Sequence, residues 1–276
     1  MGRYSKRPDG VVLYDGPSLM DGKPIVLVAT FKTDNDKTGN VIQTWILRKH
    51  VHPVEAINNG GDKSICGDCP LRGILELQKK SDYQSKRTNA KSRKYVNRQR
   101  GCYVAIQNAP RAIWQAFKAG NYPAYDAAEH GRWFKMRGIR LGSYGDPCAV
   151  PFDVWEPVLS IAPAMSQPGY THQWRTCDQR WRHHLMASTH SVAELEEANR
   201  MGWRSYRTRR ADQPLAPNEI VCPASEEGGY RETCETCGAC DGCKPGADAT
   251  KQMSIAMVVH GGDSRITGAL AVIDAA

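Results

Sequence analysis

The sequence predicts an α/β protein, either a partial (β/α) barrel or an open parallel sheet, with a β-rich N-terminal segment and a cysteine-rich metal-binding loop. Three observations support this prediction. From about residue 133, strand-like and helix-like runs alternate, which favours parallel strands joined by right-handed crossovers. Residues 1–65 instead carry two strand-like runs around a polar turn. Ten cysteines occur in 276 residues, and four of them occupy every third position in CETCGACDGC, residues 234–243.

The N-terminal segment, residues 1–65, is predicted to hold the strands PIVLVATFKT and VIQTWILRKHVHP on either side of the turn DNDKTGN. The second segment, residues 66–132, begins at a cysteine pair. There LRGILELQKK is predicted as a short helix, and RAIWQAFKAG as a second helix that Asn108 and Pro110 open and Gly120 ends.

The third segment, residues 133–276, carries the predicted strand–helix alternation. Its clearest helix is SVAELEEANRMG, where Ser191 and Glu194 form a capping box and Gly202 ends the helix. The other predicted helix is VPFDVWEPVLSIAPAM, and the predicted strands are WFKMRGIRLGSYG, GYTHQWR, HHLMASTHS, WRSYRTRR, EIVCPAS and SIAMVVHGG.

Ligand-binding features are expected where these strands end, because ligands of parallel sheets bind beyond the carboxyl ends of the strands. The turn GSYGDPC (142–148), the ST of MASTHS, Cys222 in VCPAS and His260 after SIAMVV all stand at such ends. The sequence therefore predicts that they converge on one face.

Composition predicts a cytoplasmic protein. The N-terminus MGRYSKRPDG is polar and basic rather than a secretory leader, and no apolar run approaches the roughly 18 to 20 residues that cross a bilayer. In a reducing compartment, clustered cysteines are typical of metal sites rather than disulfides.

The C-terminal cysteines are predicted to bind a [4Fe–4S] cluster or zinc. Cys234, Cys237 and Cys240 form a CxxCxxC run, and Cys222, followed by Pro223, stands upstream. Three cysteines in one run with a distant fourth favour an iron–sulfur cluster, although zinc accepts the same four sulfurs. Cys243 and His260 are further candidate ligands.

A second cysteine group lies in the N-terminal half. Cys66 and Cys69 occur in SICGDCPLRG and Cys102 in RGCYVAIQNAP. Three thiolates leave two alternatives: either Cys148 completes a closed structural site, or one metal position stays open to solvent, substrate or a cofactor. An open position is what makes a metal site catalytic.

Charge predicts an anionic partner, and nucleic acid is the expected one. The net charge is +8. Between residues 79 and 100, nine Lys or Arg stand against a single acid, with tyrosines interleaved, and a second basic stretch, RMGWRSYRTRR, interleaves arginines with Trp203 and Tyr206. Basic side chains neutralise phosphates while aromatic rings stack on bases. The candidate contacts are Lys86, Arg87, Lys91, Arg93, Lys94, Arg98, Arg100, Arg204, Arg207, Arg209 and Arg210.

A third hypothesis is a metal-dependent nuclease. His50 and His52 in RKHVHP match the His–apolar–His pattern of such enzymes, with Tyr83 or Tyr95 as a nucleophile. The pattern is short, and a polar strand end is the simpler interpretation.

The motif order resembles an uncharacterised family of bacteriophage proteins over roughly residues 60–262. The shared order is CGDCP, CY with a helical P-x-x-IW segment, a strand ending in SYGDP, CP with CxxCxxC, and a final strand ending in His. The resemblance implies a phage origin and a metal-bound fold rather than a particular reaction.

A second resemblance is to radical S-adenosylmethionine enzymes, which are partial (β/α) barrels with three cysteines on a [4Fe–4S] cluster. Tyr103 adjoins Cys102 like the aromatic residue beside that family's last cysteine. GSYGDP, with Gly145 and Asp146, is similar to the turn that holds the cofactor's amino group. In that family the three cysteines share one short loop, whereas Cys69 and Cys102 are 33 positions apart. The resemblance implies an enzyme with one or two clusters that binds S-adenosylmethionine and acts on nucleic acid or nucleotides. The alternative is a metal-stabilised nucleic-acid-binding protein without catalysis.

Overall fold

The computed structural model describes residues 7–33, 36–77, 95–135, 137–162 and 165–276. Within these ranges the strands are β1 (Gly10–Pro17), β2 (Pro24–Thr30), β3 (Ile42–Arg48), β4 (Ile74–Leu77), β5 (Tyr95–Arg98), β6 (Ile139–Tyr144), β7 (Tyr170–Thr171), β8 (Met186–Thr189), β9 (Ser205–Arg209), β10 (Glu219–Val221) and β11 (Ser254–Val258). The α-helices are α1 (Pro53–Asn59), α2 (Lys63–Cys66), α3 (Ala109–Lys118), α4 (Ala127–His130), α5 (Phe152–Leu159), α6 (Val192–Arg200), α7 (Cys234–Cys237) and α8 (Asp263–Ala275).

The first sheet has the strand order β1-β2-β3-β6. Its first three strands are antiparallel, and β6 pairs with β3 in parallel. Residues 25–30 of β2 and 42–47 of β3 are buried, including on the outward positions of the pleat, so both faces of these strands are covered. The predicted N-terminal strands are confirmed, and they share a sheet with a strand of the third predicted segment.

The second sheet has the order β10-β11-β9-β8-β7, and all its pairings are parallel. Backbone hydrogen bonds link it to the first sheet: Ile139 N donates to Ser166 O (3.0 Å), Leu141 N donates to Pro168 O (2.9 Å), and Leu141 forms a parallel bridge with Gly169. The mixed α/β class with parallel strands is therefore confirmed. The carboxyl ends of the parallel strands lie along one edge.

The capping box predicted for the clearest helix is modified in α6. Ser191 Oγ accepts a hydrogen bond from Glu194 N (3.2 Å), as expected. The Glu194 carboxylate, however, accepts from His190 N (2.7 Å), one residue before the cap. The helix start thereby fixes the backbone of His190 at the end of β8.

The prediction of a helix over LRGILELQKK is wrong, because Ile74–Leu77 forms β4, which pairs antiparallel with β5. Ile74 and Leu75 are 55% and 36% exposed, so their apolar side chains do not make the buried stripe that a helix would need. The C-terminal α8 was not predicted. None of the described helices is long and apolar enough to cross a membrane.

Candidate metal and cofactor cavity

A cavity of about 340 Å³ lies at the carboxyl ends of the parallel strands. Its wall includes side chains from the ends of β6, β7, β8, β9 and β11 and from the residues that follow β10. All the strand-end features that the sequence predicted to converge contribute to it: the turn 142–146, Ser188 and Thr189, Cys222 and His260. The volume lies within the range of small-molecule sites.

The first cysteine group, Cys66, Cys69 and Cys102, lines this cavity. Cys66 ends α2, and Cys69 N donates to Cys66 O (3.2 Å) after a turn at Gly67, which has a φ of +55°. Cys102 N donates to Leu71 O (3.0 Å), which brings the third thiol beside the pair despite its distance in sequence.

Ion pairs of Asp62 with two arginines position this cysteine group. The carboxylate of Asp62, 1% exposed, pairs with Arg72 (2.7 Å) and with Arg100 (3.3 Å). Arg72 Nη1 also donates to Gly67 O (3.2 Å) between the two cysteines. Arg100 is thus part of the cysteine support, which corrects the expectation that it contacts nucleic acid.

Burial raises the pKa of Cys66, and the charges of Asp62, Cys69 and Cys102 raise it further. Burial likewise raises the pKa of Cys69, with Cys102 as the next cause. Burial therefore disfavours the thiolate forms of Cys66 and Cys69. A bound cation offsets this effect, because its charge stabilises deprotonated cysteine ligands.

The second cysteine group, Cys222, Cys234, Cys237 and Cys240, lines the opposite part of the same cavity. Cys222 follows β10, and Cys234 and Cys237 begin and end the single turn α7. Gly238, with a φ of +58°, ends that turn in the left-handed region and leads to Cys240. Burial raises the pKa of Cys234, Cys237 and Cys240, and each is raised further by neighbours in the group.

The loop that carries this group is fastened at both ends. Cys234 N donates to Lys37 O (3.0 Å) and Glu235 N to Thr38 O (3.1 Å). Arg204 donates to the carbonyl groups of Ala239 (2.8 Å) and Gly242 (2.8 Å). Arg204 therefore organises the backbone around Cys240 rather than projecting toward a phosphate, which corrects its predicted role.

The remaining cysteines do not line the cavity. Cys148 is buried with Cys177 as its hydrogen-bonding neighbour, so it does not complete the first group. The Cys243 thiol lies 3.6 Å from Ala247 O and accepts from Gln252 Nε2 (3.4 Å). The thiols of Cys148 and Cys243 therefore both have hydrogen-bond partners within the protein.

The turn after β6 connects the first cysteine group to β7. Gly145 has a φ of +85°, and a Cβ there would lie 2.7 Å from Ile46 Cβ. Asp146 N donates to Ile65 O (2.6 Å), next to Cys66. The Asp146 carboxylate accepts from Thr171 Oγ1 (2.8 Å) and from the backbone N of Cys148 and His172 (both 3.0 Å).

These contacts assign different roles to the two predicted cofactor residues. Burial raises the pKa of Asp146 to about 6, against the lowering effect of its hydrogen bonds. Its oxygens are engaged by protein donors, so its side chain ties β6 to β7. The conformation of Gly145 instead allows the turn to pack closely against Ile46.

His172 and His190 were missed by the sequence reasoning, which placed both inside predicted strands, whereas they directly follow β7 and β8. Their Nε2 atoms lie 3.1 Å apart, and His172 Nε2 lies 3.9 Å from Cys69 Sγ. His190 Nδ1 hydrogen bonds to Thr208 Oγ1 (2.6 Å). Burial and the neighbouring His190 lower the pKa of His172 to about 3, so its ring is neutral at pH 7. His260, by contrast, stacks on Tyr103 at the cavity margin, with ring centroids 5.9 Å apart.

The arginines on and just after β9, in the second predicted basic stretch, form ion pairs. Arg207 and Arg209 point to the buried face of β9, because side chains alternate along a strand and Tyr206 and Thr208 face the cavity. Arg207 pairs with Glu219, Arg209 with Glu227, and Arg210 with Asp212 and Asp274. The buried Arg207 and Arg209 are thus structural residues, whereas contact of the exposed Arg210 with nucleic acid stays a prediction. Lys86, Arg87, Lys91, Arg93, Lys94, Tyr83 and the side chains of Tyr95 and Arg98 lie outside the described residues.

The Arg207–Glu219 pair yields a stability prediction. Both side chains are at most 2% exposed, and Glu219 also accepts from Ala216 N (2.7 Å). We expect Arg207→Met to lower the free energy of unfolding by about 3–5 kcal/mol, because it leaves a buried carboxylate unpaired. Arg207→Met with Glu219→Met should cost less than the single change. Urea unfolding measures both, with Arg210→Met, an exposed pair expected to cost at most about 1 kcal/mol, as the control. A double variant less stable than the single one would contradict this interpretation.

His50 and His52 lie away from the cavity wall. His52 caps α1, with Nδ1 accepting from Val54 N (3.3 Å), and its ring packs edge-on against Trp114 with centroids 5.2 Å apart. These contacts agree with a polar strand end.

Within the described ranges, no group of three or more His, Cys, Asp or Glu side chains is arranged to hold a metal ion. The seven thiols of the two groups are instead distributed around the cavity wall. No protein-family model matches the chain, and neither the curated proteins nor the solved structures contain a match to it.

Proposed function

We propose that the protein is an iron–sulfur enzyme whose cavity binds two clusters and S-adenosylmethionine, with zinc in the same thiols as the competing assignment. The observation that carries the proposal is that seven cysteines from four separate parts of the chain line one cavity at the carboxyl ends of parallel strands. In parallel-strand enzymes this edge holds the active site.

The partial-barrel form of the fold is part of this proposal. From β6 to β10 the order is β6, β7, β8, β9, β11, β10, which is five strand intervals. In a flat sheet these strands would be about 24 Å apart, at about 4.8 Å per interval. Yet Gly145 after β6 and Cys222 after β10 line the same cavity, and Tyr103 beside Cys102 stacks on His260 after β11. Curvature of the strand array accounts for these contacts.

The proposal assigns a cluster of a different kind to each cysteine group. The second group has four thiols, which complete a closed four-cysteine cluster. The first group has three, since Cys148 is turned toward Cys177, so one metal position is left open. With Cys66, Cys69 and Cys102 as its ligands, a reduced cluster would supply one electron to bound S-adenosylmethionine.

The chain's own part in this function is to hold and orient. Asp62 with Arg72 and Arg100 fixes the first group, and the turn at Gly145 forms part of the cavity wall. Asp146 fixes that turn against β7. The His172–His190 pair stays neutral, so it adds no charge beside Cys69.

Anaerobic purification followed by iron, sulfide and zinc analysis tests the proposal. We expect iron and sulfide in near-equal amounts, with a broad visible absorption band from thiolate-bound clusters. After chemical reduction, S-adenosylmethionine should be converted to 5′-deoxyadenosine and methionine. A colourless protein that contains zinc alone would overturn the proposal and favour a metal-stabilised binding protein.

A further inference from the structure

A cationic and aromatic patch lies in the cavity between the two cysteine groups. It consists of Arg140, Lys37, Tyr103, Tyr170, Tyr206 and His260, all of which line the cavity. Arg140 belongs to β6, and its Nη2 donates to Tyr103 Oη (2.9 Å), next to Cys102. Lys37 lies beside the second group, because its backbone carbonyl accepts a hydrogen bond from Cys234 N (3.0 Å).

Arg140 has donors left over. A guanidinium carries five N–H groups in a planar fork. Among the described residues Arg140 makes one hydrogen bond, to Tyr103, and no ion pair with an Asp or Glu. The carboxylate of Asp146, which also lines the cavity, accepts hydrogen bonds from Thr171 and from two backbone amides. The unused donors therefore face the cavity.

Lys37 adds a second cation to the same patch. Its Nζ lies 3.7 Å from Met257 Sδ, a weak acceptor, and its backbone carbonyl supports Cys234. The hydrogen bond to Tyr103 uses one donor of Arg140, which leaves its other donors available for a bidentate oxyanion.

Aromatic rings flank the two cations. Tyr103 and His260 stack with centroids 5.9 Å apart, and Tyr170 and Tyr206 pack with centroids 4.4 Å apart. Tyr103 is 46% exposed, which is high for a ring in a cavity wall. Such rings offer faces on which a planar base can stack.

We propose that this patch is the substrate subsite and that it binds the phosphate group of a nucleotide through Arg140 and Lys37, with the base against the tyrosines. The inference rests on the proposed function in taking the cavity as an active site. The phosphate belongs either to a free nucleotide or to a single-stranded nucleic acid, since both present the same oxyanion beside a base.

Binding measurements test this subsite directly. Anaerobically prepared protein is titrated, with and without S-adenosylmethionine, with 5′-mononucleotides, the matching nucleosides and a short single-stranded oligonucleotide. We expect a mononucleotide or the oligonucleotide to bind, and Arg140→Gln to weaken that binding about tenfold to hundredfold, as expected for lost hydrogen bonds to a charged group. Which of the two ligands binds identifies the source of the phosphate.

Matched variants separate this result from a folding defect. Arg180→Gln removes the same charge from an arginine that pairs with Asp178 and Asp153 outside the cavity, and should leave binding unchanged. Lys37→Gln should weaken phosphate binding in the same direction as Arg140→Gln. Nucleosides without phosphate should be insensitive to both changes.

Two results would overturn the subsite. One is equal nucleotide binding, or none, in the natural protein and Arg140→Gln. The other is a selective loss of S-adenosylmethionine affinity in Arg140→Gln, which would assign Arg140 to the cofactor's carboxylate. Neither result depends on the metal analysis, so failure of the subsite and failure of the iron–sulfur proposal are distinguishable.

Discussion

Replacing Cys66, Cys69 and Cys102 together by alanine is expected to halve the iron content, from about eight to about four atoms per chain, and to abolish cleavage of S-adenosylmethionine. The physical reason is that these three thiols supply every cysteine ligand on their side of the cavity, while the four thiols of the second group remain intact. Elemental analysis and product chromatography of the anaerobically reconstituted variant measure both effects.

The reciprocal change makes the prediction specific. Replacing Cys234, Cys237 and Cys240 should also halve the iron content, but the remaining cluster should still change its electron paramagnetic resonance spectrum when S-adenosylmethionine is added. Cys243→Ala is the matched control, since this thiol lies outside the cavity wall and is satisfied by Ala247 and Gln252. Its iron content should be unchanged.

His172 is the main alternative candidate for a fourth ligand beside the first cysteine group, because its Nε2 lies 3.9 Å from Cys69 Sγ. If His172 were the fourth ligand, the spectrum of the natural protein would not respond to S-adenosylmethionine, and His172→Ala would create that response. We expect the opposite: a response in the natural protein that His172→Ala retains. Its Nε2 is already engaged by His190.

The second large effect is expected at the turn that follows β6. Gly145→Ala should lower the free energy of unfolding by about 2–4 kcal/mol, because it adds a Cβ in the left-handed region and 2.7 Å from Ile46 Cβ. It should also weaken S-adenosylmethionine binding, since the turn presents its backbone to the cavity. Urea unfolding and equilibrium dialysis measure the two effects.

Gly246 provides the control for this change. It has a φ of +74°, close to that of Gly145, but nothing lies within 4 Å of an added Cβ. Gly246→Ala should therefore cost only the backbone strain, about 1–2 kcal/mol, and leave cofactor binding unchanged. Equal losses of stability in the two variants would show that contact with Ile46 does not matter.

Helix caps and strands were predicted correctly where the local sequence pattern agrees with the final structure. The capping residue Ser191, the strands β2 and β3, and the position of Gly120 after α3 follow from periodicity and cap chemistry. LRGILELQKK shows the limit of such signals. Its apolar residues fit a helix as well as a strand, and pairing of β4 with β5 decides between them.

The candidate site was predictable in its parts. The CxxC spacings singled out five thiols as candidate ligands, to which Cys102 and Cys222 were added from elsewhere in the chain. The rule for parallel strands predicted the edge at which the seven lie. The roles of the arginines of β9 were not found, although strand alternation was a signal for them. Arg207 and Arg209 stand out of phase with the cavity-facing Tyr206 and Thr208.

The sequence by itself determined the cysteine spacing, the strand and helix periodicities and the strand ends, because each depends on residues close together in the chain. Only the tertiary structure decided that β11 lies between β9 and β10, that Cys102 joins Cys66 and Cys69, and that both cysteine groups line one cavity. These arrangements depend on which strands exchange backbone hydrogen bonds. They also depend on which buried charges find partners, as Asp62 does with Arg72 and Arg100. Such choices are made between residues far apart in sequence, where no local pattern carries the information.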